Sequence, residues 1–183
     1  MYSNAVRGLL VVLVLSLGIL VTAQNAVAQT NPRMVRQIRS ELVTLPYYGV
    51  FDWLTYQVQN DGTVILQGQV VRPSTKSDAE GRVKDIDGVR GIVNQIEVLP
   101  NSPSDDRLRL ALYRAIYGFN SPLFHYATQS VPSIHIIVDR GRVTLRGVAA
   151  NKNDANLAYI RARGVPGSFN VSNELSIENE QPR

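Results

Sequence analysis

The sequence predicts an α+β protein in which one small module is written twice, each copy running helix, strand, strand, helix, strand. Each copy is expected to close a three-stranded mixed sheet with two helices packed on one face. Three observations predict this. Asp61-Gly62-Thr63-Val64-Ile65-Leu66-Gln67-Gly68 recurs 79 residues later as Arg140-Gly141-Arg142-Val143-Thr144-Leu145-Arg146-Gly147, and the same offset carries Gly88 onto Gly167 and Asn94 onto Asn173. Both copies hold a glycine turn between two runs of β-branched and aromatic residues, the mark of a hairpin. Capped apolar stripes of helical period stand on either side of each hairpin.

The elements follow in order. Asn31 and Pro32 open a helix to about Val43, with Val35, Ile38 and Leu42 on one face. Strands Thr55–Gln59 and Thr63–Val70 flank Asn60-Asp61-Gly62. Ser74 caps the next helix, although Ser77-Asp78-Ala79-Glu80 has capping-box spacing and would start it one turn later. A last strand covers Ile92–Val98. Pro100-Asn101-Ser102-Pro103 reads as a linker. In the second copy Ser104 caps a helix from Asp105 to about Tyr117, with Asp105 and Asp106 at its positive end. Strands Ile134–Val138 and Arg142–Ala149, a helix capped by Asn153 and a strand Phe169–Ile177 complete it. The expected division is repeat 1 at 31–99, linker at 100–104, repeat 2 at 105–178 and a polar tail at 179–183.

Residues 1–28 stand apart. A short start carrying Arg7, the apolar run Leu9–Val21 and the ending Ala26-Val27-Ala28 have the form of a secretory signal. The run is shorter than the roughly 20 residues a membrane span needs. Cleavage after Ala28 and a periplasmic chain, peripheral on a membrane at most, are expected; retention of the segment as an anchor is the alternative. The chain has no cysteine, which excludes disulfides, thiolate metal sites and cysteine nucleophiles. Residues 29–99 balance eight basic side chains with eight acidic ones, whereas 100–183 carry ten against seven. An anionic partner would therefore favour the second repeat.

The pattern Asp-Gly-x-Val-x-Leu-x-Gly, a helix, then Gly-Val-x-x-Val-x-Asn-x-Leu resembles the BON domain of bacterial envelope proteins. It stands here as Asp61–Gly68 with Gly88–Ile96, and again as Arg140–Gly147 with Gly167–Leu175. The second copy departs from it at Arg140, where Asp is usual, and at Ser168, where Val is usual. The resemblance implies a periplasmic module, often paired, that associates with phospholipid membranes and supports envelope integrity or stress tolerance without enzyme activity.

The residues themselves point to no catalyst. His125 and His135 lack metal-pair spacing, and no nucleophile, carboxylate pair or phosphate loop accompanies them. No enzyme, cofactor, metal or nucleic-acid partner is expected. The basic strand is the sharpest feature. Alternation puts Val143 and Leu145 on one face and Arg142, Thr144 and Arg146 on the other. With Arg140 in the turn and Arg161 and Arg163 at the end of the following helix, these are the candidate binders of anionic phospholipid headgroups, since guanidinium forks suit phosphate oxygens. The plainer reading is a solvated sheet face and favourable helix C-terminal charges. A protein-binding or scaffold module for other envelope proteins is the rival function.

Structural readings attach to the repeat motif. Gly62 and Gly141 supply positive φ in tight turns, and Gly88 and Gly167 stop the turns before the last strands. Gly68 and Gly147 suggest a bulge or close approach of the overlying helix. Asn94 and Asn173 are expected to hold a neighbouring turn. The aromatic clusters Tyr47–Tyr56 and Tyr113–Tyr126 are expected to close the core between first helix and sheet, membrane-interface contact being the alternative.

Overall fold

The computed structural model describes residues 31–178, so the secretory signal at 1–28 and the tail at 179–183 lie outside the described residues. Module 1 runs α1 (Pro32–Val43), β1 (Trp53–Val58), β2 (Thr63–Val70), α2 (Pro73–Lys84) and β3 (Gly91–Val98). Module 2 runs α3 (Pro103–Tyr117), a short α4 (Phe124–Ala127), β4 (Ile134–Asp139), β5 (Arg142–Ala149), α5 (Lys152–Arg163) and β6 (Asn170–Ile177). Each sheet has its first strand antiparallel and its last strand parallel to a central strand, in the orders β1-β2-β3 and β4-β5-β6.

Alternation along the central strands sets the layers. Val64, Leu66 and Val70 of β2 are buried under α1 and α2, with Met34, Ile38, Leu42, Ala79 and Val83. Val143, Leu145 and Ala149 of β5 do the same under α3 and α5, with Leu108, Leu112, Ile116, Ala158 and Ala162. The opposite face of the first sheet is polar: Gln67 bonds both Gln57 and Gln95 across three strands. Small residues on α2 and α5 let those helices sit close to the sheet.

Three helix starts differ from the sequence reading. α2 begins at Pro73, after Arg72, and Ser74 and Ser77 lie inside it. α3 begins at Pro103 with Ser102 as its cap, so part of the expected linker is helix. In α5 the cap is Asn151, whose Oδ1 accepts from the Asp154 N–H at 2.9 Å. In α2 and α3 the proline sets the start, because its fixed φ is already helical and its missing N–H needs no partner there.

Two motif readings are corrected as well. Gly68 (φ 128°) and Gly147 (φ 110°) do approach something closely, but it is the backbone at the start of the neighbouring edge strand, Trp53 of β1 and Ser133 just before β4, and not a helix. A Cβ on Gly68 would run into the Trp53 carbonyl oxygen, and one on Gly147 into that of Ser133. Asn94 and Asn173 hold a helix to a strand and not a turn. The Asn94 amide donates to the Lys76 carbonyl of α2 at 3.1 Å while its Oδ1 accepts from Ile96 N–H at 3.1 Å. Asn173 repeats this with Ala155 of α5 at 3.4 Å and Leu175 at 3.2 Å.

The modules are joined by more than a linker. Ile134, Ile136 and Val138 turn their backbone groups to the free edge of β4, and each finds a partner. The Ile136 N–H donates to the Val50 carbonyl of module 1 at 2.8 Å. Tyr117 Oη donates to the Ile134 carbonyl. Arg109 Nη2 donates to the Val138 carbonyl at 2.7 Å. An edge strand left bare invites pairing with other chains, and this one is covered from within. Val50 belongs to the core of module 2, and Phe51 stacks edge-on against Tyr113. The first aromatic cluster is therefore divided: Tyr56 closes the module 1 core through its hydroxyl on the Val35 carbonyl, while Phe51 and Trp53 reach module 2.

Candidate functional site

The five arginines singled out from the sequence do not form one patch. Arg142 and Arg146 project from the outer face of β5, and each has an acid beside it. Arg142 bonds Asp139 at 3.2 Å, and Arg146 lies 2.9 Å from Glu174, its cross-strand partner on β6. Arg161 and Arg163 lie on α5, across the sheet from those two. Arg161 donates to the Ala115 carbonyl of α3 at 3.1 Å, a packing role, and Arg163 stacks over the Tyr159 ring. Arg140 differs. It sits in the β4–β5 turn with φ 50°, its side chain is 73% exposed, and its guanidinium lies 3.9 Å from Asp139.

Beside Arg140 is a residue the sequence reading placed inside the last strand. Phe169 precedes β6, is 86% exposed, and lies across the turn glycine Gly141, with its N–H bonded to the Gly141 carbonyl at 3.0 Å. Next to it an open hollow of about 660 Å³ is lined by the acid Asp105, Arg107, Leu108 and Pro166 together with Arg140 and Phe169. The first module shows what changed. There Arg90 occupies the position of Phe169 and lays its side chain over Gly62, while Asp61 stands where Arg140 does. The same structural end thus carries an acid and an arginine in module 1, and an arginine and a bare phenyl ring in module 2. The signal for Phe169 was present in the sequence as an aromatic ring replacing a charge two residues after a turn glycine.

The substitution at Arg140 needed support. In module 1 the turn is held by Asp61, whose Oδ1 accepts from Thr63 N–H at 2.8 Å. These bonds hold the Asp61 carboxyl below its usual range. In module 2 Asp105 of α3 takes over: it is 3% exposed and accepts from Arg140 N–H at 2.8 Å and Gly141 N–H at 3.0 Å. The sequence suggested only a helix-dipole role for Asp105.

The histidines are separated too. His125 lies on α4, with Nδ1 2.9 Å from the Pro122 carbonyl and Nε2 3.9 Å from Asp154. His135 is 6% exposed, held between Tyr48 and Trp53 at the module junction, and its Nδ1 has no hydrogen-bond partner. Burial pushes its pKa below the ordinary value, against the opposing carbonyls of Asp52 and Gly49. Among the described residues no group of three or more His, Asp and Glu side chains could hold a metal, and no helix is long and apolar enough to cross a membrane.

The family model of the BON domain matches residues 36–100 and again 125–179. The chain is a tandem BON-domain protein. Two solved structures of CdsD, a structural protein of the type III secretion system of Chlamydia trachomatis, are also similar. Each is 13% identical with a TM-score of 0.29, spanning 81% of this chain and 98% or 94% of its own. No curated protein matches the chain. Within each BON module the turn glycine, the strand glycine and the strand asparagine are therefore parts of the scaffold: a turn, a close strand contact and a helix tether. The two BON modules differ where those parts do not constrain them, at Arg140 and Phe169.

The junction of the BON modules carries a pH dependence. His135 binds its proton less readily folded than unfolded, so the unfolded state holds more protons as pH falls below about 6.5, and stability declines on acidification. Asp52 has the opposite sign, because burial raises its carboxyl pKa despite bonds from Val71 and Gly49. A His135→Gln variant isolates the histidine. Between pH 7.5 and 5.5 the wild type should lose unfolding free energy relative to this variant, by at most about 1.4 kcal/mol per pH unit. Parallel pH profiles of urea midpoint for the two proteins would refute this.

Proposed function

We propose that this protein is an exported, non-enzymatic envelope module that associates with anionic phospholipid headgroups through its second BON domain. The observation that carries the reading is the pairing of Arg140 with the exposed Phe169 at one end of module 2. An aromatic ring with a flat apolar body suits the boundary between headgroups and acyl chains. A guanidinium beside it suits the phosphate oxygens, and an anionic surface attracts each such group by about 1 kcal/mol. Arg107 adds a second cation at the rim of the same hollow. Arg142 and Arg146 are partly neutralised by Asp139 and Glu174, so their share is smaller than alternation alone suggests. The signal at residues 1–28 would deliver the chain to the periplasm, with cleavage after Ala28 checked by sequencing the N-terminus of the exported protein.

Vesicle co-sedimentation tests the lipid reading. Recovery should be higher with vesicles containing phosphatidylglycerol than with phosphatidylcholine alone, and should fall as salt rises. Arg140→Glu should lower the anionic-vesicle affinity about tenfold, since it removes one attraction and adds one repulsion. Phe169→Ser should weaken it while leaving the salt dependence in place. Equal recovery from neutral and anionic vesicles would end this reading.

A further inference from the structure

We infer that the cleft between the two modules binds an extended polypeptide segment, which adds as a fourth strand to the free edge of β1. This goes beyond the lipid reading and stands apart from it, since the cleft meets β5 at Gly147, the opposite end from Gly141.

The argument begins with edges. β1 and β4 are equivalent strands, and the turn bond from Gln59 N–H to the Thr63 carbonyl fixes which residues of β1 face β2. Leu54, Tyr56 and Val58 turn their backbone groups outward, as Ile134, Ile136 and Val138 do on β4. On β4 one such group of each residue is occupied, at Ile136 by the turn Gly49–Asp52 of the other module: the Ile136 N–H binds the Val50 carbonyl. On β1 the backbone groups of Tyr56 and Val58 have no partner among the described residues. The equivalent edge is thus covered on one module and left open on the other.

Beside that edge is a cavity of about 660 Å³ with a mainly apolar wall. Leu42 and Val43 of α1, Trp53 and Tyr56 of β1, and Val131 of the loop before β4 line it. Alternate side chains of an added strand would enter this wall while its backbone met β1. One polar feature selects the occupant further. Arg39 is the one charged residue of the lining and no acid accompanies it, so a segment with an acidic residue near the α1 side is favoured. An acyl chain would match the apolar wall but would leave the β1 edge unpaired.

Trp53 is the sole tryptophan of the chain, so its fluorescence reports on this cavity directly. The probe is a phage-displayed library of random decapeptides, panned against the whole exported chain. Enriched peptides should alternate apolar residues, carry an acid at one end, shift Trp53 emission and slow amide exchange at Tyr56 by about tenfold or more. Arg39→Glu and Val43→Glu, both at exposed positions, should weaken those peptides at least about tenfold without moving the thermal midpoint by more than a few degrees. No enrichment, or enriched peptides that leave Trp53 and the Tyr56 amide unchanged, would overturn the inference. So would phosphatidylglycerol vesicles shifting Trp53 emission in place of the peptides, which would make the cavity an acyl-chain site.

Discussion

Gly147→Ala should destabilise module 2 by about 3 kcal/mol or more, enough to abolish a marginal fold of this size. Two costs add. At φ 110° the residue sits where side chains other than hydrogen are strained by about 1–3 kcal/mol. The new Cβ also meets the Ser133 carbonyl oxygen, whose bond to Val148 N–H at 2.9 Å holds the start of the β4–β5 ladder. Neither side can yield without breaking that bond. Gly68→Ala faces the same conflict with the Trp53 carbonyl. Gly81 is the control, since it lies within α2 with open space around it, and Gly81→Ala should stabilise by about 0.5–1 kcal/mol. Urea unfolding followed by circular dichroism measures all three. A Gly147→Ala protein within about 1 kcal/mol of wild type would show that the strand contact is softer than the geometry implies.

Asp105→Ala should cost about 3 kcal/mol, because it leaves two backbone N–H groups, the buried one of Gly141 and the half-buried one of Arg140, without an acceptor. The loss should be specific to the turn and therefore reparable. Module 1 holds the equivalent turn with an aspartate inside it, Asp61 bonding Thr63 N–H. Arg140→Asp should recover part of the stability lost in Asp105→Ala, and in a double-mutant cycle the two changes should couple by about 1 kcal/mol or more. The positive φ at Arg140 also suits aspartate better than arginine. Simple additivity of the two changes would mean that Asp105 acts through α3 alone. The pair also bears on function: by taking over from a turn aspartate, Asp105 leaves position 140 free for a cation at the exposed end.

Much of the architecture was legible because it is written at short range. The hairpin around Gly141, the apolar stripe Leu108, Leu112 and Ile116 and the alternation of Val143 and Leu145 each depend on neighbours a few residues apart. The 79-residue repeat then announced that the same unit is built twice. Helix starts were less legible, since Pro73 and Pro103 outweighed the serines just downstream of them. Arg142 and Arg146 lie on β5 and Arg161 and Arg163 on α5, as local pattern suggests, but their partners were invisible. Whether Arg146 meets Glu174, or Arg161 meets Ala115, depends on elements far apart in the chain.

By itself, then, the sequence determined the order of elements, the two-fold repetition and the glycines that its turns and strand contacts require. Only the tertiary structure decided that Val50 and Phe51 belong to the neighbouring module, that Asp105 supports a turn some 35 residues away, and that Phe169 stands exposed beside Arg140. The reason is physical. Periodicity and turn chemistry are properties of one stretch of backbone, whereas an edge N–H such as that of Ile136 or a buried carboxylate is satisfied by whichever distant group the packing brings within about 3 Å.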